Sequence, residues 1–421
     1  MPKRVTFIHA ADLHLGAPFR GLRALSPAWA TRLLSAIPES YDRVIDAALK
    51  NEVDFVVIAG DIFDSARASY ADHLRFFEGL KRLDAAGIAV YLCAGNHDPY
   101  ASWQQEFFAF PPNTTLFPAD KPGFSVLEKD GEPLALIGGR GFYSQAWPQD
   151  KNIAEGITRN AAQEALGVVA PFNIAVIHTG LDLDPLKAPT DPAKLLRAGM
   201  DYWALGHIHL RYAHPEKNPR VVFSGCTQGR DINETGERGI FKVTLTEGRP
   251  NQIEFIPTAS VVWQRMEVDV SPCKSLTDIS KKIMDELFLE NSKAHCEEMC
   301  VRVSLVGATK LHKMLEMPGV LQDMRKSLND EHPLFYCDAL LDKTVQPLNK
   351  KALLKEGLFP SVLLRVSADL KKSHDKNLAY LQDEFLNKNL QLPGSCEKEL
   401  PLLMEEAENL VLDLLGKSDA S

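Results

Sequence analysis

The sequence has no run of about 18 apolar residues, so nothing in it reads as a membrane-spanning helix. The short apolar stretch that follows Pro2-Lys3-Arg4 is interrupted by Asp12 and His14 and offers no small-residue cleavage site, which excludes a signal peptide. There is no CxxC pair. The seven cysteines are scattered and odd in number, which argues for reduced thiols in the cytoplasm rather than a disulfide framework. Excess positive charge is also lacking. The net charge is −9, and both halves are mildly acidic. A passive nucleic-acid-binding module needs cations to neutralise phosphates, so this balance counts against one. It counts less against a nuclease, because bound metal ions supply positive charge locally. No G-x-x-x-x-G-K-[ST] loop is present, so any ATPase activity must come from a partner. Gly138-Gly-Arg-Gly141 lacks the spacing of a dinucleotide loop.

At 421 residues the chain is too long for one ordinary core, and two or three domains are expected. From residue 4 to about 256, short apolar runs alternate with helical patterns. Val5 to Ala10, Phe55 to Ala59, Ile88 to Cys93, Asn173 to Ile177 and Tyr202 to Leu205 read as strands buried on both faces. Ser69, with Asp72 three residues on, predicts the start of a helix that Gly87 ends. This alternation predicts an α/β layered domain over residues 1–262. Beyond it, Leu276 to Glu290 and Leu311 to Leu328 read as helices, and Val301 to Leu305 and Val362 to Val366 as strands. A smaller α+β domain is therefore expected over 263–372. Residues 373–421 read as a helical segment broken at Leu392-Pro-Gly-Ser.

Every early strand ends in polar residues of one chemical kind. The ends are Asp12-Leu-His14, Gly60-Asp61-Ile-Phe-Asp64, Gly95-Asn96-His97-Asp98, His178-Thr-Gly and Gly206-His207-Ile-His209. In α/β sheets ligands bind outside the carboxyl ends of strands, so these groups should converge. Carboxylates and imidazoles together suit Mn, Fe or Zn. Eight ligand-type residues are too many for one ion; two ions sharing a carboxylate, about 3.5–4 Å apart, fit better. His9, next to this set, reads as a packed strand residue. His295, Cys296 and Cys300 could share a helical face, but three ligands without a fourth make a poor zinc site, and buried thiols are the simpler reading.

The intact series D-x-H, G-D-x-x-D, G-N-H-D, H and G-H-x-H resembles the calcineurin-like metallophosphoesterases. That resemblance implies a four-layer α/β/β/α sandwich, followed here by a small α+β capping domain and C-terminal helices. It implies one metal on Asp12, His14, Asp61 and His209, and a second on Asp61, Asn96, His178 and His207, with Asp61 shared. His97 would then stand over the phosphate as the catalytic acid, oriented by Asp64, while Asp98 braces its loop. The stretches Ala10 to Gly16, Ala59 to Ser65 and Ser224-Gly-Cys-Thr-Gln-Gly-Arg230, running on to Gly239, are similar to SbcD-like and YhaO-like DNA repair exonucleases, with Cys226 in place of a serine and Arg238 of a lysine.

This branch implies a Mn-dependent DNA exonuclease with associated endonuclease activity, in which Arg140, Gln228 and Arg230 are the candidate substrate contacts. It also implies a homodimer and an SbcC-like coiled-coil ATPase as partner. The helix after Ser69 and the segment Trp103 to Phe110, with Phe107 and Phe108, could form the dimer face or could be core. The C-terminal helices could dock on the ATPase or pack on their own capping domain. Two other functions use the same motifs: a small-molecule or cyclic-nucleotide phosphodiesterase, and a DNA-end-binding scaffold without catalysis. The long extension past the core favours the nuclease over the first, and the complete ligand set with His97 disfavours the second.

Overall fold

The structure, a computed structural model, describes residues 2–418 apart from 19–25, 65–67, 104–108, 149, 294–297, 332–333, 348–349, 356–358, 389 and 391. The chain runs β1 (Arg4–Ala10), α1 (Pro27–Lys50), β2 (Phe55–Ala59), α2 (Tyr70–Ala85), β3 (Ala89–Cys93), β4 (Thr114–Leu116), β5 (Gly123–Lys129) and β6 (Glu132–Arg140). It continues through α3 (Arg159–Leu166), β7 (Phe172–His178), α4 (Pro192–Arg197), β8 (Tyr202–Gly206), β9 (Tyr212–His214), β10 (Val221–Phe223), β11 (Gly239–Thr246) and β12 (Gln252–Pro257).

These strands form two six-stranded sheets, of order β12-β11-β1-β2-β3-β4 and β5-β6-β7-β8-β10-β9. β1, β2, β3 and β4 are parallel, and so are β6, β7, β8 and β10; the outer strands β11, β12, β5 and β9 pair antiparallel. The period-2 alternation of β2 sends its side chains to two different cores. Phe55 and Val57 enter the cluster between the sheets, with Phe7, Ile137, Ile174, Val176 and Ala204. Val56 and Ile58 face α1 and α2, against Leu33, Val44, Phe76 and Leu80. On the far side, Trp203, Leu205 and Ile177 pack under Leu195 of α4 and the neighbouring loops. The result is the four-layer α/β/β/α arrangement. Each large apolar side chain buried this way stabilises the fold by about 1.5–3 kcal/mol.

His9 of β1 is fully buried and ties the sheets together. Its Nε2 donates to the Leu205 carbonyl (3.2 Å), which leaves Nδ1 to accept from the Tyr202 hydroxyl (2.9 Å). Burial lowers its pKa to about 3, so the ring is neutral and structural. α2 starts as predicted: Ser69 and Asp72 complete a capping box, and Gly87 follows its end at φ +71°. Trp103 and Phe110 pack against the helix-side core, whereas Phe107 and Phe108 lie outside the described residues.

Then come β13 (Val261–Asp269), α5 (Leu276–Lys293), β14 (Glu298–Ala308), α6 (His312–Leu315), α7 (Val320–Glu331), β15 (Phe335–Val345), α8 (Lys350–Leu353), α9 (Phe359–Lys371), α10 (His374–Asn387) and α11 (Cys396–Ser418). The three strands form one sheet of order β13-β14-β15. Chain contacts divide the protein into two compact units. One comprises Met1–Gln264, Glu290–Val301 and Leu334–Tyr336, and the other the remainder.

Three expectations are corrected here. Val362 to Val366 is helical, not a strand. Ser361, Leu364 and Ser367 are buried at helical spacing, and α11 packs beside α9, so tertiary burial overrides the β-branched local preference. The helix expected over 311–328 is two helices, because the chain turns at Pro318-Gly319, with Gly319 at φ +89°. Cys300 sits on β14 rather than on a helical face; His295 and Cys296 lie outside the described residues. Among the described residues no helix is long and apolar enough to cross a membrane.

One close contact between the sheets is decisive. A Cβ on Gly206 would stand 1.8 Å from the Ala59 carbonyl oxygen and 3.0 Å from His178 Nδ1. Gly206→Ala should therefore push β8 away from β2 and cost about 1–3 kcal/mol, read as a lowered urea midpoint with an unchanged m-value.

Candidate active site

The polar strand ends meet at the carboxyl ends of β1, β2, β3, β7 and β8. Backbone bonds bring the first two together: Asp12 N–H donates to Gly60 O (3.1 Å) and His14 N–H to Asp61 O (2.9 Å). Asp98 braces the third loop, as expected. Its carboxylate accepts from the N–H groups of Gly95 (2.7 Å), Asp61 (3.1 Å) and Ile62 (2.9 Å). Asp12 accepts from the His207 N–H at 3.0 Å and so joins β1 to the end of β8. A Cβ on Gly95 would stand 2.1 Å from Asp61 Oδ1, so only glycine admits that carboxylate.

Four site residues hold left-handed backbone: Asp12 (φ 52°), His14 (φ 50°), Asp61 (φ 49°) and His207 (φ 103°). Such conformations are costly for residues with a Cβ, and they persist where surrounding bonds over-determine them. Here they turn each side chain off its strand toward a common centre.

Besides His209 with Cys226 and Glu234, two groups of ligand-type atoms face the common centre, each with its members within 4.8 Å of one another: Asp12, His14 and His209, and Asp61, His178 and His207. Asp61 stands between them, with Oδ2 3.8 Å from His14 Nε2 and 3.4 Å from His178 Nε2. Asn96 Oδ1 lies 3.0 Å from His178 Nε2 and 3.1 Å from His207 Nδ1.

Hydrogen bonds at the rear of each ring fix which nitrogen faces inward. His178 Nδ1 donates to the Ala59 carbonyl (2.9 Å), His207 Nε2 to Asp184 (3.1 Å) and His209 Nδ1 to Glu234 (2.6 Å). Carboxylate and carbonyl oxygens only accept, so His178 Nε2, His207 Nδ1 and His209 Nε2 are the nitrogens left to face the interior. His209 Nε2 meets His14 Nε2 at 3.2 Å. Converging oxygen and nitrogen lone pairs of this kind are the donor set a divalent cation requires, and the residues fit two such ions.

The electrostatics agree. Burial, followed by the charge of Arg230, puts His14 well below its ordinary pKa. Burial, then His178, lowers His207 to about 4, so both rings are neutral. Burial opposes a charge on His178, but Asp61 outweighs it and raises that ring to about 9. Without a cation, then, the pair Asp61–His178 holds a proton that a cation would displace. Glu234 is raised by burial, but its bonds with His209 and Arg230 prevail and keep it below the usual carboxylate range.

His97 stands apart from the candidate ligands. Its side chain is 46% exposed, against 21% or less for His14, His178, His207 and His209. Its backbone N–H donates to Asp61 Oδ1 (2.8 Å), and its Nδ1 lies 4.0 Å from Asp64. Arg230 lies by the site, with Nη2 3.2 Å from Glu234 and 3.3 Å from His209 Nδ1. Arg140 lies over the Trp147 ring (5.0 Å) and donates to the carbonyls of Ala119 and Asp120.

Gln228 is corrected. It is 2% exposed, its Nε2 donates to Gly229 O and Val261 O, and its Oε1 accepts from Ser260 N–H. It fastens one loop to β13 and does not face a substrate. The carboxylates behind His207 and His209 went unnoticed in the sequence. Glu234 lies in a stretch already singled out, but nothing local marks Asp184, which reaches His207 across 23 positions.

Comparison with known proteins comes to the same place. Residues 5–211 match the family model described as Calcineurin-like phosphoesterase, and residues 263–342 match that described as Metallophosphoesterase YhaO, middle domain. The chain is 34% identical over 332 residues to "Uncharacterized metallophosphoesterase YhaO" of Bacillus subtilis (strain 168), covering 78% of each. It is 26% identical to "DNA double-strand break repair protein Mre11" of Thermoplasma acidophilum, covering 68% of this chain and 74% of the relative. The protein of the same name from Sulfurisphaera tokodaii is 25% identical, covering 91% and 96%.

Asp184→Asn and Glu234→Gln should each weaken divalent-cation binding, probed with Mn2+ by calorimetry, roughly 10–100-fold. Gln228→Ala should leave that affinity alone and destabilise the fold by about 1–3 kcal/mol, since Ser260 N–H and Val261 O lose their partner. A raised KM at unchanged stability would instead return Gln228 to the substrate.

Proposed function

Because the chain belongs to the calcineurin-like phosphoesterases, we propose that this metal-dependent phosphodiester hydrolase cuts DNA, as a Mn-dependent exonuclease with endonuclease activity acting in repair. The observation that carries the reading is the pair of ligand groups on either side of Asp61, with the exposed His97 beside them. Asp12, His14, Asp61 and His209 would hold one divalent ion, and Asp61, Asn96, His178 and His207 the other. Two bound cations supply Lewis-acid charge to the phosphate and an activated water.

The chain's own residues do the rest. His97 reaches out of the site where a scissile phosphate would lie. As imidazolium it would stabilise charge on phosphorus and protonate the leaving oxygen. Asp64, on the Nδ1 side of the ring, would orient it. Arg230, with its counter-ion Glu234, would add positive charge at the rim, and Arg140 a contact further out. DNA as the substrate is supported by relatives whose printed name is a double-strand break repair protein.

Two groups of exposed apolar residues support the proposed partners. Phe359, Val362, Val366 and Leu370 form an exposed stripe along α9. The opposite side of α9 is fixed within its own unit, where Glu408 of α11 accepts from Lys350 (2.6 Å), Lys371 (3.0 Å) and Ser367. Such a stripe suits a coiled-coil ATPase of the SbcC type. Leu34, Tyr70 and Leu74, exposed on and beside α1 and α2, suit a homodimer face. A cytoplasmic setting agrees with the free cysteines.

Purified protein with Mn2+ should cleave labelled DNA and bis-p-nitrophenyl phosphate. His97→Ala should lower both rates about 10²–10⁴-fold while calorimetric metal affinity stays within about twofold. Hydrolysis of the small ester with no cutting of duplex or single-stranded DNA, with or without an ATPase partner, would end the nuclease reading.

A further inference from the structure

The loop that leaves β7, residues 179–191, carries two features that the metal centre does not use. The first is apolar exposure. Leu183 is 54% and Leu186 71% exposed, on either side of Asp184, the carboxylate that holds His207. Leu210, which follows His209, and Tyr143, which follows the Phe142 ring packed on His178, are 63% and 65% exposed. Of the eight large apolar side chains exposed in the first unit among the described residues, these four lie on the loops that leave β6, β7 and β8, at the edge of the site. Scattered exposed apolar residues need no explanation, but a group at the mouth of one site does.

The second feature is a groove of about 400 Å³ at the outer side of the same loop. Its walls include Leu181, Pro185 and Pro189, with the charged groups Asp150, Lys151, Asp182, Asp191 and Lys194, of which Asp191 and Lys194 pair (3.5 Å), and the neutral polar groups Asn152 and Thr190. Thr190 is 6% exposed, yet its hydroxyl has no hydrogen-bond partner among the described residues. A buried hydroxyl left unpaired is costly, and a ligand able to bond it would remove that cost.

We propose that this groove, together with Leu183 and Leu186 next to its Asp182 and Pro185 in the same loop, takes one unstacked nucleobase of the strand whose phosphate lies at the metal centre. The proposal rests on the nuclease reading above. The chemistry favours a base over other parts of DNA. Three carboxylates outnumber two lysines in the groove, and Lys194 is paired with Asp191, which disfavours a phosphate, whereas the uncharged face of a base suits Leu181 and the prolines. Asp182 and Thr190 accept from exocyclic amino groups, which adenine, cytosine and guanine carry and thymine lacks. The loop also links the two events, because the segment that would grip the base contains the residue that orients His207. A base must leave its stack to enter, so the preferred substrate is a single-stranded or frayed end.

The test uses the full chain with Mn2+ and a single-stranded oligonucleotide in which one abasic residue is moved along the sequence. At one fixed offset from the cleaved bond, loss of the base should raise KM about tenfold, and thymine there should be the weakest of the four bases. In Leu183→Ser/Leu186→Ser, two substitutions at exposed positions, KM for intact DNA should rise toward the abasic value, so the base effect disappears. Cleavage that ignores the abasic residue at every offset would overturn the groove proposal and leave the nuclease reading standing. A base effect that survives intact in the double variant would also overturn it. Turnover of bis-p-nitrophenyl phosphate with no DNA cleaved at all would remove both.

Discussion

A carboxylate that is 1% exposed holds the site together. Asp61 comes off β2 in left-handed backbone, between His14 from the end of β1 and His178 from the end of β7, with its other oxygen on the His97 N–H. A buried charge needs opposite charge or several donors, or it takes up a proton. In this protein His178, His14 and the His97 N–H surround that charge and outweigh its burial. The nearby elements exist to keep Asp61 where it is. Asp98 accepts from its N–H, Gly95 leaves room for its Oδ1, and Gly60 permits the turn before it at φ +82°.

Around that centre runs a ring of supporting acceptors. The Ala59 carbonyl, Asp184 and Glu234 each accept the N–H at the rear of one imidazole and so aim its other nitrogen inward. Rings held from behind cannot rotate away when the site is empty, so less order has to be created on binding a cation. The backbone strain at Asp12, His14, Asp61 and His207 is sustained by the same network, since each is tied by main-chain or side-chain bonds to a neighbouring strand end. Both sheets contribute, and the contact of Gly206 with Ala59 sets how near they approach.

The second unit follows a different logic. α8, α9 and α11 are joined by the ion pairs at Glu408, where burial raises the carboxyl but Lys350, Ser367 and Lys371 prevail and lower it to about 2. Their exposed apolar stripe is not needed for that local packing. An exposed apolar stripe of this kind is a candidate interaction surface.

Much of this was legible in the sequence. The strand ends carrying Asp12, Asp61, Asn96, His178 and His207 follow apolar runs, and chain order in an α/β sheet forces such ends to one edge, so the convergence of these side chains was legible in the sequence alone. The capping box at Ser69 is equally local. Three things were not readable. The roles of Asp184 and Gln228 depend on partners 23 and more than 30 positions away, which no local pattern encodes. The run from Val362 to Val366 is β-branched enough to suggest a strand, and only packing beside α11 makes it a helix. The left-handed backbone at the ligands belongs to residues other than glycine, so composition gives no hint of it. Local chemistry determined which residues could bind metal; tertiary hydrogen bonds decided which nitrogen of each ring faces it.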